Sequence, residues 1–286
     1  MLTKNWMESR YTIGSLVARS AAMQRLIKQA GMQINNDSPL LVVGETGTGK
    51  TLLARSIHNS SSRVSRPFVS AASERLTPNA ADGVLFGTTS EKGLLARSES
   101  GTLLITGVEN LAPMAQERLC KLIDDGKYTT ASGDQKKLDM RMMFTGNSGV
   151  LAERMSHGMF SEDLYARISG SVLSMPSLSE RNADIPYLVV DVLQAFAARE
   201  RVSRPTVPYH YMELLTRVEW PENVQQLRNH VESVMALSNG HFDPAILLAH
   251  FDEIESPQTL KGLVRDLLQR LVTSSNAVAA GAAAGN

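Results

Sequence analysis

The chain has one cysteine, no excess of either charge, no long apolar run and no histidine pattern suited to a metal. Cys120 stands alone in 286 residues, which excludes an internal disulfide and fits a reducing compartment. Set among Leu119, Leu122 and Ile123, it reads as a small buried hydrophobe and not as a nucleophile. Lys+Arg and Asp+Glu are equal at 29 each. No global field then draws the chain to nucleic acid or an anionic surface, and autonomous DNA binding is not expected. Nowhere do about 18 apolar residues run together, as a membrane-spanning helix needs. Met1 to Trp6 opens without the apolar core of a signal peptide, so a cytoplasmic protein with no membrane partner is expected. His58, His157, His210, His230, His241 and His250 match no HExxH or other ligand spacing. Met140, Met142 and Met143 read as strand packing.

The strongest positive signal is Gly44-Glu45-Thr46-Gly47-Thr48-Gly49-Lys50-Thr51. It follows the apolar run Leu40-Leu41-Val42-Val43 and opens a stretch with helical spacing. That order of strand, glycine loop and helix gives a GxxxxGK[ST] pattern its physical meaning. Backbone N–H groups turn inward around phosphates, Lys50 neutralises their charge, and the Thr51 hydroxyl can ligate Mg²⁺. ATP or ADP with Mg²⁺ is the expected cofactor. Hydrolysis also needs acids on a neighbouring strand, to hold the metal and polarise water. The candidate strand Thr102-Leu103-Leu104-Ile105 instead ends in Thr106-Gly107-Val108, with no carboxylate.

Short apolar segments at Phe68–Ser70, Thr102–Ile105, Met140–Thr145 and Ser171–Met175 alternate with helical or loop segments. This pattern predicts an α/β domain with a mostly parallel sheet covered on both faces. Ser20 is the expected N-cap of a first helix carrying Met23, Leu26, Ile27 and Ala30 on one face. After Met175-Pro176 only helices are expected: Ile185–Glu200, Tyr209–Val218 and Val224–Leu237. The expected division is an α/β nucleotide-binding domain over 1–180, a helical lid over 181–250, and a C-terminal helix and tail over 251–286. Within the last part, 260–272 carries an apolar stripe and 273–286 reads as disordered.

Further motifs are Ile13-Gly14, Ala22 to Ile27, Leu53 to His58, Arg66-Pro67-Phe68-Val69, Leu85-Phe86-Gly87, Gly101-Thr102-Leu103, Asp163-Leu164-Tyr165, Pro176 to Arg181 and Trp220-Pro221. Together with the glycine loop they resemble the central AAA+ domain of bacterial enhancer-binding proteins, the ATPases that remodel sigma-54 RNA polymerase. The resemblance covers about residues 10–250 and implies a P-loop AAA+ sheet sandwiched by helices, with a small all-helical lid. It also implies a transcription regulator that assembles with other AAA+ subunits.

The departures gather at the chemistry. The family's Asp-Glu pair after the second catalytic strand corresponds to Thr106 and Gly107, and the Asn that restrains the Glu corresponds to Ala72. Of two arginines in the family's F-R-x-D-L-x-x-R segment, the first is Ser161; Arg167 remains as a candidate for acting on a neighbour's nucleotide. The lid arginine is Gln225, with Glu222 for the preceding Gly. The sigma-54-contacting loop is missing between Leu85-Phe86-Gly87 and Gly101. Gly93 matches either the glycine opening that loop or the one just after it. Asn147 matches the polar sensor. Family members commonly end in a Fis-like helix-turn-helix; Thr259 to Asp266 resembles its first helix and equally reads as a helix packing on the lid or a partner, with no recognition helix following.

Two further carboxylate positions have bland readings. Glu109, two residues beyond the missing acid, is expected to be a solvated turn charge, because a slip of the strand would also move its apolar register. Asp124-Asp125 before Gly126 reads as a polar helix end. The sequence therefore points to a nucleotide-binding AAA+ regulator with little hydrolysis, working through partner AAA+ subunits that are either copies of itself or a competent activator. RNA polymerase would be reached only indirectly. The alternatives are an active ATPase in a mixed ring with acids recruited from elsewhere, and an interaction protein with a vestigial P-loop.

Overall fold

The computed structural model describes residues 11–237; the 260–272 stripe, the 273–286 tail and the helix-turn-helix remnant lie outside them. The chain divides into two compact units, one through Ser177 and one from Leu178.

The first unit is built on five strands, β1 (Leu40–Val43), β2 (Phe68–Ala72), β3 (Thr102–Thr106), β6 (Arg141–Gly146) and β7 (Ser171–Ser174). All are parallel, in the order β2-β3-β6-β1-β7. Because the sheet is buried on both faces, its central strands are apolar at nearly every position and alternate which face they serve. Leu41, Leu103, Ile105, Met142 and Phe144 enter one core, while Leu40, Val42, Leu104 and Met143 enter the other. Met142 and Met143 are thus strand packing on opposite faces, as expected. The first core is closed by α3 (Ala81–Phe86), α4 (Leu94–Arg97), α5 (Pro113–Asp125), α6 (Ser148–Ser156) and α7 (Glu162–Ile168); the second by α1 (Ala21–Met32) and α2 (Lys50–Ser60). A small antiparallel hairpin, β4 (Lys127–Thr129) with β5 (Gln135–Lys137), interrupts the alternation where only helix or loop was expected. Its strands are three residues each and mostly exposed, too short for periodicity to reveal.

Local chemistry fixes the helix ends. The Ser20 side chain accepts from the Met23 N–H at 3.3 Å and starts α1. At the other end of α1 the buried Arg141 guanidinium donates to the Ile34 and Gln33 carbonyls at 2.9 and 2.6 Å. It ties the far end of the central strand to carbonyls that the helix leaves open. Pro113 opens α5, and Gly126, in the left-handed region at φ +59°, closes it. Cys120 is half-buried against the core, less enclosed than the sequence suggested, and burial raises its thiol above the ordinary value.

The second unit contains α8 (Ile185–Glu200), α9 (Tyr209–Arg217) and α10 (Asn223–Leu237), around a core of Ile185, Val189, Leu193, Leu215, Leu227 and Val231. The Trp220 indole N–H donates to the Leu215 carbonyl at 3.0 Å, and Asn223 Oδ1 accepts from the Leu178 N–H at 2.6 Å.

Candidate functional site

The glycine loop joins β1 to α2 at the carboxyl end of the sheet, beside the tips of β6 and β7. Gly44, Gly47 and Gly49 have φ of +151°, +75° and +104°, so the loop is open to glycine and strained for other residues. At Gly44 the crowding is also external, since a Cβ there would lie 2.7 Å from the Met175 carbonyl. The Gly44 N–H is bonded to the Gly146 carbonyl at 3.2 Å and the Met175 N–H to the Val43 carbonyl at 2.8 Å. The loop is thereby stitched to both neighbouring strands. Lys50 begins α2 behind this cradle, where N–H groups and the helix dipole favour an anion. Its ammonium donates to the Gly44 and Glu45 carbonyls at 2.9 and 2.6 Å. Desolvation lowers its pKa, while the negative charges of Glu109 and Glu45 oppose that shift. Thr48 is buried and its hydroxyl donates to the Glu45 carbonyl at 2.8 Å. Thr51 lies half-buried in the first turn of α2.

The tip of β3 is different. Thr106 is paired in register with Ala72 on β2, so two side chains without a carboxylate or amide face the place where an acid and its restraint would meet. Gly107 follows in the left-handed region at φ +70°, and the Ser73 hydroxyl donates to its carbonyl at 2.5 Å. This turn leads into the 3₁₀ segment Val108–Asn110. Glu109 consequently points inward with only 8% of its surface exposed, which corrects the expectation of a solvated charge. The strand keeps its register; the left-handed glycine, not a slip, redirects the chain. Glu109 Oε2 is buried with no hydrogen-bond partner.

The other positions are placed as follows. Asn147 caps α6, its Oδ1 accepting from the Gly149 and Val150 N–H groups at 3.1 and 3.3 Å. Ser161 caps α7, accepting from the Leu164 N–H at 3.2 Å, while its own N–H donates to Gln116 Oε1 at 2.7 Å. The Arg167 fork clasps Asp124 at 2.7 and 2.8 Å and also bonds the Asp163 carbonyl at 2.7 Å. That bidentate contact gives Asp124 at the helix end a partner. Gln225 is exposed in the first turn of α10, in the second unit. The connection after Leu85-Phe86-Gly87 is a tight turn, with an antiparallel bridge between Gly87 and Lys92 and the Thr88 N–H on the Glu91 carbonyl at 2.9 Å. Among the described residues, no group of three or more His, Cys, Asp or Glu is placed to hold a metal. None of their helices is long and apolar enough to cross a membrane.

A parallel sheet in this order with an anion cradle at its carboxyl edge defines a P-loop AAA+ nucleotide-site architecture. The family described as Sigma-54 interaction domain matches residues 16–174, and the AAA+ ATPase lid domain family matches residues 179–261. The chain belongs to the Sigma-54 interaction domain family of AAA+ proteins. It is 32% identical over 237 residues to the transcriptional regulatory protein ZraR of Escherichia coli K12, covering 79% of this chain and 54% of that protein. It is 30% identical over 229 residues to the HTH-type transcriptional regulatory protein TyrR of Citrobacter braakii, covering 79% and 44%. The chain thus spans about half the length of these curated relatives. Among solved structures, NtrX of Brucella abortus in complex with ATP is similar at TM-score 0.74 and 30% identity, over 81% of this chain and 52% of that one. Its ADP complex gives 0.75 and 28%, over 92% and 63%.

Proposed function

We propose that this chain binds ATP or ADP at its glycine loop, with Mg²⁺ on the Thr51 hydroxyl, turns the nucleotide over very slowly, and regulates transcription through other AAA+ subunits. The observation that carries this reading is the contrast between the complete cradle around Lys50 and the tip of β3. There Thr106 faces Ala72 and Gly107 makes a left-handed turn. Binding is further supported by NtrX, whose structures hold ATP and ADP. The cradle suits a nucleoside triphosphate on its own terms, because its three positive-φ glycines leave the backbone N–H groups free of side-chain cover and Lys50 is desolvated beside them.

Slow turnover follows from what each missing group would supply. Without an acid at the strand tip there is no fixed base for the attacking water, and Ser161 in place of an arginine removes stabilisation of transition-state charge. The chain acts with copies of itself or with a catalytically competent activator in the cytoplasm, and it reaches RNA polymerase only through that partner. The tight turn between Gly87 and Lys92, where the family has its sigma-54-contacting loop, supports this indirect route. A second reading, an active ATPase in a mixed ring, is favoured by one feature, the inward Glu109.

The test is phosphate release by the purified chain, alone and mixed with a competent activator of the same family, alongside thermal shift with ATP and ADP. Saturable stabilisation with release no faster than in Lys50→Ala supports the proposal. Robust release that disappears in Lys50→Ala promotes the second reading, and no stabilisation at millimolar nucleotide leaves a vestigial loop.

A further inference from the structure

One oxygen of the buried Glu109 carboxylate has no partner in the fold. The residue is 8% exposed, and the oxygen without a hydrogen-bond partner is Oε2. A buried carboxylate oxygen left unpaired costs free energy, and in a native structure such an atom calls for an explanation, a functional role or a bound ion among them. Its position says which. Were Gly146 to carry a Cβ, that atom would lie 3.2 Å from Glu109 Oε2. The Gly146 carbonyl in turn accepts the N–H of Gly44, the first glycine of the loop. Oε2 therefore lies over the tip of the central strand β6, next to the loop, and its charge is felt at the Lys50 ammonium. No ion pair closes between the two side chains.

We propose that Glu109 is the acid of this nucleotide site, holding the water shell of the divalent cation that accompanies the phosphates in place of the carboxylates missing at Thr106 and Gly107. The proposal rests on nucleotide binding at the glycine loop. Two local features deliver the group: the left-handed Gly107, which turns the chain inward after β3, and the absent side chain at Gly146, which leaves room for Oε2. A single carboxylate can hold the metal's water or polarise the attacking water, not both at once. Tight metal-dependent binding with slow turnover is the consequence, in keeping with the proposed function.

The full chain, its Glu109→Gln variant and its Gly146→Ala variant are titrated with ATP in Mg²⁺ and in EDTA. Mn²⁺ binding in the presence of ADP is followed separately by electron paramagnetic resonance. The natural chain binds ATP about tenfold tighter with Mg²⁺ than without, a difference of about 1.4 kcal/mol. Glu109→Gln loses that tightening and weakens Mn²⁺ uptake to a similar degree. In EDTA the same variant binds ATP as well as the natural chain or better, since a negative charge near the phosphates has gone. Gly146→Ala keeps the carboxylate but crowds it, and loses part of the metal effect even if Glu109→Gln does not fold. Full retention of Mg²⁺ tightening in both variants overturns the assignment. So does an equal loss with and without metal, the mark of a merely structural residue. If the natural chain binds ATP in neither condition, nucleotide binding itself falls; if it binds ATP equally in both, only the role of Glu109 falls.

Discussion

The tips of β1 and β3 are separated by a single strand, and they are built for different tasks. At β1 the backbone does the work: positive-φ glycines, a helix N-terminus and one desolvated lysine form a cradle whose chemistry suits phosphate. At β3 the side chains decide, and Thr106, Gly107 and their neighbour Ala72 supply neither an acid nor a group to orient one. On the proposed reading, holding a nucleotide and cutting it are physically separable tasks in this sheet. A cradle made of main chain and one lysine does not need the side chains at the tip of β3, whereas hydrolysis depends on them.

The sharpest way to break the comparison is at the binding edge. Lys50→Ala is expected to weaken ATP binding by about 100-fold, as removal of a charge-assisted contact implies. The natural chain at nucleotide 100 times its dissociation constant gains about 2.7 kcal/mol of stability, and thermal shift should show this gain lost in the variant. Unchanged affinity would mean that the cradle is not the site.

The two edges are also joined at their far ends, where His58 on α2 lies 2.9 Å by Nδ1 from the Thr102 hydroxyl at the start of β3. Burial, reinforced by Arg55, lowers the His58 pKa to about 4. Between the ordinary histidine value and about 4 the unfolded chain takes up a proton that the folded chain refuses. Stability is therefore complete above about pH 6.5, falls as pH drops toward 4, and loses on the order of 2 kcal/mol through this residue. Urea midpoints for the natural chain should slope more steeply across that window than those of His58→Gln.

Grafting acids onto the other edge should change less. Thr106→Asp with Gly107→Glu is expected to leave phosphate release near background, because Ser161 and Gln225 still stand where the family has arginines. It should also cost roughly 1–2 kcal/mol of stability, since residue 107 must hold a positive φ. Denaturation and phosphate-release assays on the double variant check both halves. The smallest effect is expected at Arg167. Its clasp on Asp124 is an exposed pair of the kind that adds little, so Arg167→Ala should hardly move the melting temperature. A change in a partner activator's ATPase rate on mixing would show that this arginine acts in trans.

The sheet was legible because its signals are local. The run Leu40 to Val43, the glycine loop and the following helix are contiguous, and burial on both faces gives each central strand an apolar middle. The inward turn of Glu109 was not legible. It depends on the backbone angle at Gly107 and on space left by Gly146, and neither follows from periodicity. A glycine ending an apolar strand two residues before a carboxylate was the available hint. The Arg167 clasp on Asp124 spans 43 residues, and Arg141, buried at the C-terminal end of α1, reads in sequence as one more surface charge. Ser161 gave a partial clue, since a serine three residues before Leu164 at a helix start is a cap by type.

The central claim, a cradle that holds nucleotide beside an edge that scarcely cuts it, is tested most directly by measuring ATP affinity and steady-state phosphate release in the same preparation, with Lys50→Ala as the reference. The account predicts saturable binding that depends on Lys50, together with phosphate release no faster than that of the variant. Release well above the Lys50→Ala level would contradict it.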